Sequence, residues 1–426
     1  GIDISQFNEE FKPQDDFYDY VNHNWLSKTE IPDDQIGWGS YMTLREESLQ
    51  NQNILINALI KNKDNLIASS EEEKIANLYL SYTNRDLVNK LGSLPLSDDI
   101  EAIKNIKNKT DLWKYFSESE KKGMSSPIYF AVYDDLKDPL NYTIYFGQSG
   151  LGLPDRDYYL LDQPHYIKGR EEYPIHLSNL FDLSGLDNAN ERASNAFDVE
   201  TELAKIQISR TERRDPEKTY NPMNVNDLDA ISNSNFNLWL KNLAIESYDR
   251  YIIESPKYLE DLSNLIDEIP IDQWKDYLLA RLVKSASGSL SDDFVDESYR
   301  FSSILTGREE MPALWKRSVG IVNGLLGDAL GKIYVKNHFP PEYKQRMVEL
   351  IDNLLESFRI GIEDLEWMSE ETKKRALIKL EKLNVKIGYP EVWKDYNGLE
   401  FSDNDLYGNI KAAAEFSYKD ALKILS

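Results

Sequence analysis

Cysteine is absent from this chain of 426 residues. That excludes disulfides, thiolate zinc sites and cysteine nucleophiles. It leaves the compartment open, because a cysteine-free protein suits oxidising and reducing surroundings alike. Histidine is scarce: only His23, His165, His176 and His338 occur. A helical zinc-peptidase site needs two histidines four residues apart, so that both imidazoles share a face, with a glutamate between them as base. None of the four has another at that spacing, and Pro340 and Pro341 separate His338 from Glu342. Each histidine reads as a surface or hydrogen-bonded residue, and no metal ligand is assigned in this chain. Positive charge is in deficit, with 49 Lys and Arg against 74 Asp and Glu, a net charge of −25. Such a chain repels phosphate backbones, which argues against a nucleic-acid partner, and its plain consequence is solubility. No run of ~18 uninterrupted apolar residues occurs, so no membrane span is expected. The best candidate, 319–335, is interrupted by Asn323, Asp328 and Lys332. The opening GIDISQF carries neither a methionine nor a basic-then-apolar signal, so a targeting segment is expected to have been removed or left out.

Several chemical motifs are missing as well. There is no GxSxG. The stretch 326–333 (LGDALGKI) fails as a phosphate loop, with Leu326 where glycine is needed and Ile333 where Ser or Thr is needed. Gly320, Gly324, Gly327 and Gly331 instead suggest a helix face that lets another backbone come close. The paired acids Asp134/Asp135 and Asp292/Asp293 and the run Glu71–Glu73 read as solvated faces or caps, because sequence cannot show two carboxylates facing across a cleft.

The residues present are enough to build a core: 41% hydrophobic and 12% aromatic residues argue against disorder. The length allows two or three ordinary domains or one large lobe with insertions. Helix signals dominate. Ser69 and Ser70 precede three glutamates and IANLYLSY. Thr110 opens a helix that stops at Gly123, and 190–210 reads as one long helix. The stretch 256–286 reads as two helices broken near Pro270. In 340–367, Tyr343, Met347, Leu350, Ile351, Leu354, Leu355, Phe358, Ile362 and Leu365 recur at three- and four-residue steps. Ser369 caps a further helix, and 402–425 holds one more helix or a pair. Strand signals are confined to 126–133 and 141–148, which predict a β-hairpin with a longer loop between them. Directly after it, 149–160 (SGLGLPDRDYYL) predicts a strand exit: Gly150 and Gly152 permit positive φ, Pro154 ends the strand and Asp155 caps the next turn. No repeat, low-complexity tract or clear linker appears; 288–293 (GSLSDD) is the most linker-like piece. Without a family, the residues describe a large, acidic, mainly α protein with no visible catalytic site.

Five stretches in order resemble the N-terminal, non-catalytic region of the neprilysin and endothelin-converting-enzyme family of zinc metallopeptidases. They are 16–26 (DFYDYVNHNWL) with Ile31, Pro32 and 38–45 (WGSYMTLR); 149–160; 214–223 (RDPEKTYNPM) with Leu228; Leu305 to Gly307 with Trp315 and Lys316, leading into 326–335 (LGDALGKIYV); and Trp367, Met368, Thr372, Lys373, Ala376, Lys379 and Leu380 with 387–390 (IGYP), Trp393 and Tyr396. The resemblance runs from about residue 15 to the end. It implies a mainly α cover lobe with a small β-hairpin component (about 126–148). Residues 1–60 would pack toward a thermolysin-like catalytic lobe, and 61–426 would form the helical cover. Small peptides would be cleaved in the chamber between the lobes by zinc-activated water, with a glutamate as base. The zinc, the HExxH helix and the Asn-Ala segment belong downstream in such proteins, so this chain alone would be an inactive chamber wall. Its partners would be small peptide substrates and the C-terminal catalytic segment. The resemblance also implies export to the periplasm or cell exterior, with or without an anchor before processing, although the residues do not exclude the cytoplasm.

Two positions depart from the family. Asn22 stands where animal relatives have a cysteine, which suits a disulfide-free bacterial-type member. Gly37 stands where some relatives have an arginine that grips a substrate carboxylate. Arg45 is the one matched cation of that motif and the single candidate for a substrate-facing residue, with a structural role in holding the N-terminal segment as the alternative. The competing reading of the whole chain is a stand-alone helical peptide-binding or interaction module without catalytic activity.

Overall fold

The computed structural model describes residues 3–232 and 235–425. Positions 1 and 2 of the expected N-terminal segment, and 233, 234 and 426 of the expected cover, lie outside the described residues. The architecture is mainly α with one small sheet. The chain divides into two compact units. The first comprises residues 1–46, 84–313 and 405–426, and the second 47–83 and 314–404. Both are assembled from separated stretches, which is why no linker composition marks the division.

In the first unit, the hairpin forms from β1 (Ile128–Asp135) and β2 (Asp138–Gln148), antiparallel, with Phe130 opposite Phe146 and Val132 opposite Ile144. The connection is much shorter than the expected loop. Asp134, Asp135 and Asp138 join the ladder across a register shift at Asp134/Asp135, and Asp135 Oδ1 accepts the Lys137 N–H at 2.9 Å. Two short strands extend the sheet. β4 (Tyr251–Ile253) runs parallel to β2, and β3 (Asn221–Met223) pairs antiparallel with β4, giving the order β1-β2-β4-β3. Both are three residues long, too short to leave an alternating pattern in sequence.

Helices pack against this sheet through a continuous apolar core in which Trp113, Phe116, Phe146, Phe236, Trp239 and Trp274 meet largely edge to face. The expected boundaries hold in part. The Pro270 break separates Pro256–Glu268 from Ile271–Ala286, whereas the helix read over 190–210 is Ala189–Ile206 and ends four residues early, because Gln207 turns extended. The helix expected to open at Thr110 is Lys109–Lys121, because Asn108 Oδ1 takes the Asp111 N–H at 2.9 Å and so caps it earlier. The supposed linker 288–293 is no linker: Ser289, Leu290 and Ser291 are buried, and Asp292–Thr306 begins at once. The helix Leu406–Ile424 returns to this unit, where Tyr407 and Lys411 bind the buried Asp99 at 2.9 and 2.8 Å.

The second unit holds Glu71–Thr83, Leu314–His338, Pro341–Asp364 and Glu370–Glu381. Ser70 Oγ accepts the Glu73 N–H while Glu73 returns to the Ser69 N–H at 2.6 Å, a reciprocal cap. Lys332 pairs with Glu71 at 2.6 Å, and Asp328 accepts the Lys394 N–H at 2.9 Å. The glycine stripe does not receive a backbone as expected. Among the described residues nothing approaches Gly320, Gly324 or Gly327, and Gly331 meets the Trp393 ring instead.

Candidate functional site

The stretch 149–160 is built around one buried carboxylate. Glu200, in the helix Ala189–Ile206, is fully buried. It accepts the Tyr159 hydroxyl at 2.5 Å, the Tyr173 hydroxyl at 3.0 Å and the Gly152 N–H at 2.9 Å, with the Arg281 guanidinium 3.7 Å away. Tyr159 also accepts the N–H groups of Gly152 and Leu153 at 3.1 and 3.0 Å, so its ring locks the turn to the helix. Burial, reinforced by the Glu200 charge, pushes both phenols well above their ordinary range. They act as permanent donors. The glycines fit this design. Gly150 has φ +90° and its carbonyl accepts the Tyr277 hydroxyl at 3.0 Å. A Cβ on Gly152 would lie 1.7 Å from the Tyr173 oxygen. Asp155 stands one residue before the N-cap, which is Arg156, and its Oδ1 accepts the Asp157 N–H at 2.8 Å, a turn bond where a cap is expected.

The outer side of the same turn borders a cavity of about 710 Å³. Its wall includes Tyr129, Leu151, Leu153, Ile208 and the guanidinium-bearing Arg156, Arg210 and Arg213, with Asp155 as the lining acid. Gln148 and Gln207 brace it: Gln148 exchanges hydrogen bonds with the backbone of Ile208 at 2.8 and 3.0 Å, and Gln207 donates to the Ser149 carbonyl at 2.9 Å. Arg213 Nε donates to the buried Glu254 at 2.6 Å, and Glu254 also accepts the Gln148 N–H. Arg156 Nε donates to the Ala204 carbonyl at 3.2 Å. Sequence reasoning misses Arg210 and Arg213. Their signal is the basic run 208–214 (ISRTERR) in an otherwise acidic chain.

Arg45 lies exposed near the start of the helix Ser40–Lys61, with no hydrogen bond or ion pair among the described residues, and is not brought to this cavity. The histidines scatter. His176 is buried, its Nδ1 2.8 Å from Glu297 and its ring stacked on Phe301. Burial lowers its pKa against the pull of Glu297, so at neutral pH it is the uncharged ring whose Nδ1–H donates. Arg300 supplies Glu297 with a compensating charge at 2.9 Å. Asp135 is buried beneath the Tyr220 hydroxyl and Arg250, so this member of the acid pairs is structural rather than solvated. Asp292 binds Arg85 and Asn89 at 2.8 and 2.7 Å. Among the described residues no group of three or more His, Asp or Glu side chains could hold a metal ion, and no reaction step can be drawn through zinc on them.

A mainly α lobe with a small sheet and a recessed, arginine-lined cavity is thus the class that geometry defines. Comparison with known proteins gives the lineage. The model for the N-terminal part of Peptidase family M13 matches residues 13–390, and the chain belongs to that family. It is 29% identical over 413 residues to a neutral endopeptidase of Lactobacillus helveticus, covering 96% of this chain and 63% of the relative. It is 28% identical to human endothelin-converting enzyme 1, covering 94% of this chain and 53% of the relative. Among solved structures, the zinc metalloprotease ZMP1 of Mycobacterium tuberculosis in complex with an inhibitor superposes with a TM-score of 0.93 at 30% identity, over 100% of this chain and 64% of that one. A PepO structure from Lactobacillus shares the fold, with a TM-score of 0.84 at 20% identity, over 96% of this chain and 65% of that one. The resemblance to neprilysin and endothelin-converting enzymes therefore holds, and the family is one of zinc metallopeptidases. The chain spans between half and two thirds of the length of these relatives.

Proposed function

We propose that this chain is the cover lobe of a neprilysin-like zinc endopeptidase. It would form one wall of a chamber in which small peptides are cleaved, with zinc and the general base supplied by a catalytic segment outside these residues. One observation carries the reading. The helix Pro341–Asp364 has the apolar periodicity of a core helix, yet none of its residues is buried. Tyr343, Leu350, Leu354 and Phe358 are 51%, 52%, 48% and 62% exposed. An apolar stripe of that length on one helix marks a surface meant for a protein partner, and the catalytic segment is the partner the family supplies. The N-terminal region has the same character: Phe17, Tyr18, Ile36, Tyr41 and Leu44 are exposed, which supports residues 1–60 packing toward the catalytic lobe. Arg45, exposed on the same stretch, is the residue assigned to face substrate.

In this arrangement zinc held by the catalytic segment would supply an activated water for peptide hydrolysis, and the cover lobe would limit access to small, flexible substrates. Among the described residues no helix is long and apolar enough to cross a membrane. Export, with or without an anchor, is the localisation we assign, as the family resemblance implies. The test is to express the chain together with the sequence downstream of it in its gene and to assay hydrolysis of a short quenched peptide. Activity lost to a chelator and restored by zinc supports the reading. Activity that survives chelation, or a gene without a metal-binding continuation, overturns it in favour of a stand-alone binding module.

A further inference from the structure

We propose that the cavity bounded by Arg156, Arg210 and Arg213 is a binding site for the carboxylates of an acidic peptide. Among its lining residues cations outnumber acids, in a molecule where acids prevail. A chain of net charge −25 gathers three guanidinium groups around one cavity and opposes them with a single lining carboxylate, Asp155. Neighbouring acids are already engaged. Glu254 is taken up by Arg213 and the Gln148 N–H. Glu212 turns back to the hydroxyl and N–H of Ser209 at 2.7 and 3.0 Å. Arg210 has no hydrogen bond or ion pair among the described residues, and the terminal nitrogens of Arg156 have no hydrogen-bond partner among them. The whole guanidinium of Arg210 and the two terminal nitrogens of Arg156 therefore keep donors for a ligand, and such paired N–H groups match a carboxylate in two parallel bonds.

The cavity is also firm. The Gln148–Ile208 exchange, the Gln207–Ser149 bond and the Tyr277–Gly150 bond hold both rims, so the backbone carrying the arginines is fixed before a ligand arrives and only the arginine side chains need ordering. Leu151, Leu153, Pro154 and Ile208 add apolar wall beside the charges, which suits a peptide better than a small inorganic anion. The carboxylate chemistry stands on the arginines alone, whereas the ligand's being a peptide rests on the peptidase reading.

Calorimetric titration of the full chain tests this with a short peptide ending in two glutamates. Three companions separate the sources of charge: the same peptide amidated at its C-terminus, the same peptide with glutamines in place of glutamates, and inorganic phosphate. Binding that falls with amidation assigns the terminal carboxylate, and binding that falls with glutamine assigns the side chains; either supports the site. Arg210→Glu, at an exposed position where folding is not at stake, is expected to weaken binding about tenfold or more. The equally charge-changing Arg375→Glu, on an exposed helix face elsewhere, is expected to leave it unchanged. Equal losses in both variants, indifference to every carboxylate, or phosphate binding tighter than the peptide would overturn the proposal. None of these outcomes involves zinc, so the site can fail while chelator-sensitive hydrolysis stands, and the reverse.

Discussion

Replacing Glu200 by alanine removes the acceptor for two phenol donors and one backbone N–H and leaves the Arg281 guanidinium without its carboxylate. Each donor stranded in the interior costs about 1–3 kcal/mol. These costs overlap, because the space vacated by the side chain is polar and can admit a water. Breaking a buried charge pair from one side typically costs about 3–5 kcal/mol. That is the loss expected here, equivalent in a chain of this length to a melting shift of about 5 °C. Glu200→Gln keeps the volume and one acceptor oxygen and should fall between alanine and wild type. Tyr159→Phe removes one hydroxyl that donates once and accepts twice, for about 1–2 kcal/mol. Because Glu200 and Tyr159 share a bond, the double variant should lose less than the sum of the two. The assay is urea unfolding followed by tryptophan fluorescence, since Trp113, Trp239 and Trp274 are buried in the same core as Glu200's partners. An alanine variant within about 0.5 kcal/mol of wild type, the range of ordinary surface substitutions, would refute the account of this carboxylate as the hub of the turn.

Gly152→Ala should cost about 1–3 kcal/mol or more, because the new methyl meets the Tyr173 hydroxyl and Arg281. Gly185→Ala, in open space at φ +68°, should cost about 1–2 kcal/mol from the left-handed backbone alone, and a larger melting shift for it than for Gly152→Ala would contradict this packing. Burial raises the Glu120 carboxyl to about 8 despite a hydrogen bond from Ser126. A folded pKa above the unfolded one gives stability that is present below about 4.5 and lost as pH rises through about 8. Glu120→Gln should therefore gain on wild type from pH 5 to pH 9, and a pH-independent difference between their melting curves would count against this. For Glu297, burial would raise the carboxyl, but hydrogen bonds from His176 and Arg300 outweigh it and hold the pKa at about 2. Its contribution is present above about 4.5 and lost as pH falls through about 2. The penalty of Glu297→Gln, measured by denaturant titration, should thus shrink below pH 4; constancy down to pH 2 would exclude the pairing.

Local signals are legible where a single residue type dictates geometry. Pro270 breaks a helix, Ser369 Oγ takes the Thr372 N–H, and the β-branched and aromatic runs form β1 and β2. They fail where tertiary context decides. The helix Pro164–Leu183 contains Pro174 and so looks interrupted, yet seven of its residues are buried and packing carries it through. Glu200 is one more acid on a polar–apolar helix, and nothing local announces that its hydrogen-bond donors lie 27 to 48 residues away. The arginine cavity draws from separated stretches of chain, so only the bias of 208–214 is visible in the sequence. The periodicity of Pro341–Asp364 gives the helix; its exposure can be learned only from the folded chain.

The pairing of Glu71 with Lys332 joins residues 261 positions apart. On a ribosome adding about 5–20 residues per second, the earlier helix waits tens of seconds for its companion. During that interval Ile75, Leu78 and Tyr79, all interior in the finished protein, face solvent. Nascent molecules should therefore depend on chaperones early in synthesis, and mutations that slow elongation between the two helices should lower yield without altering the purified product.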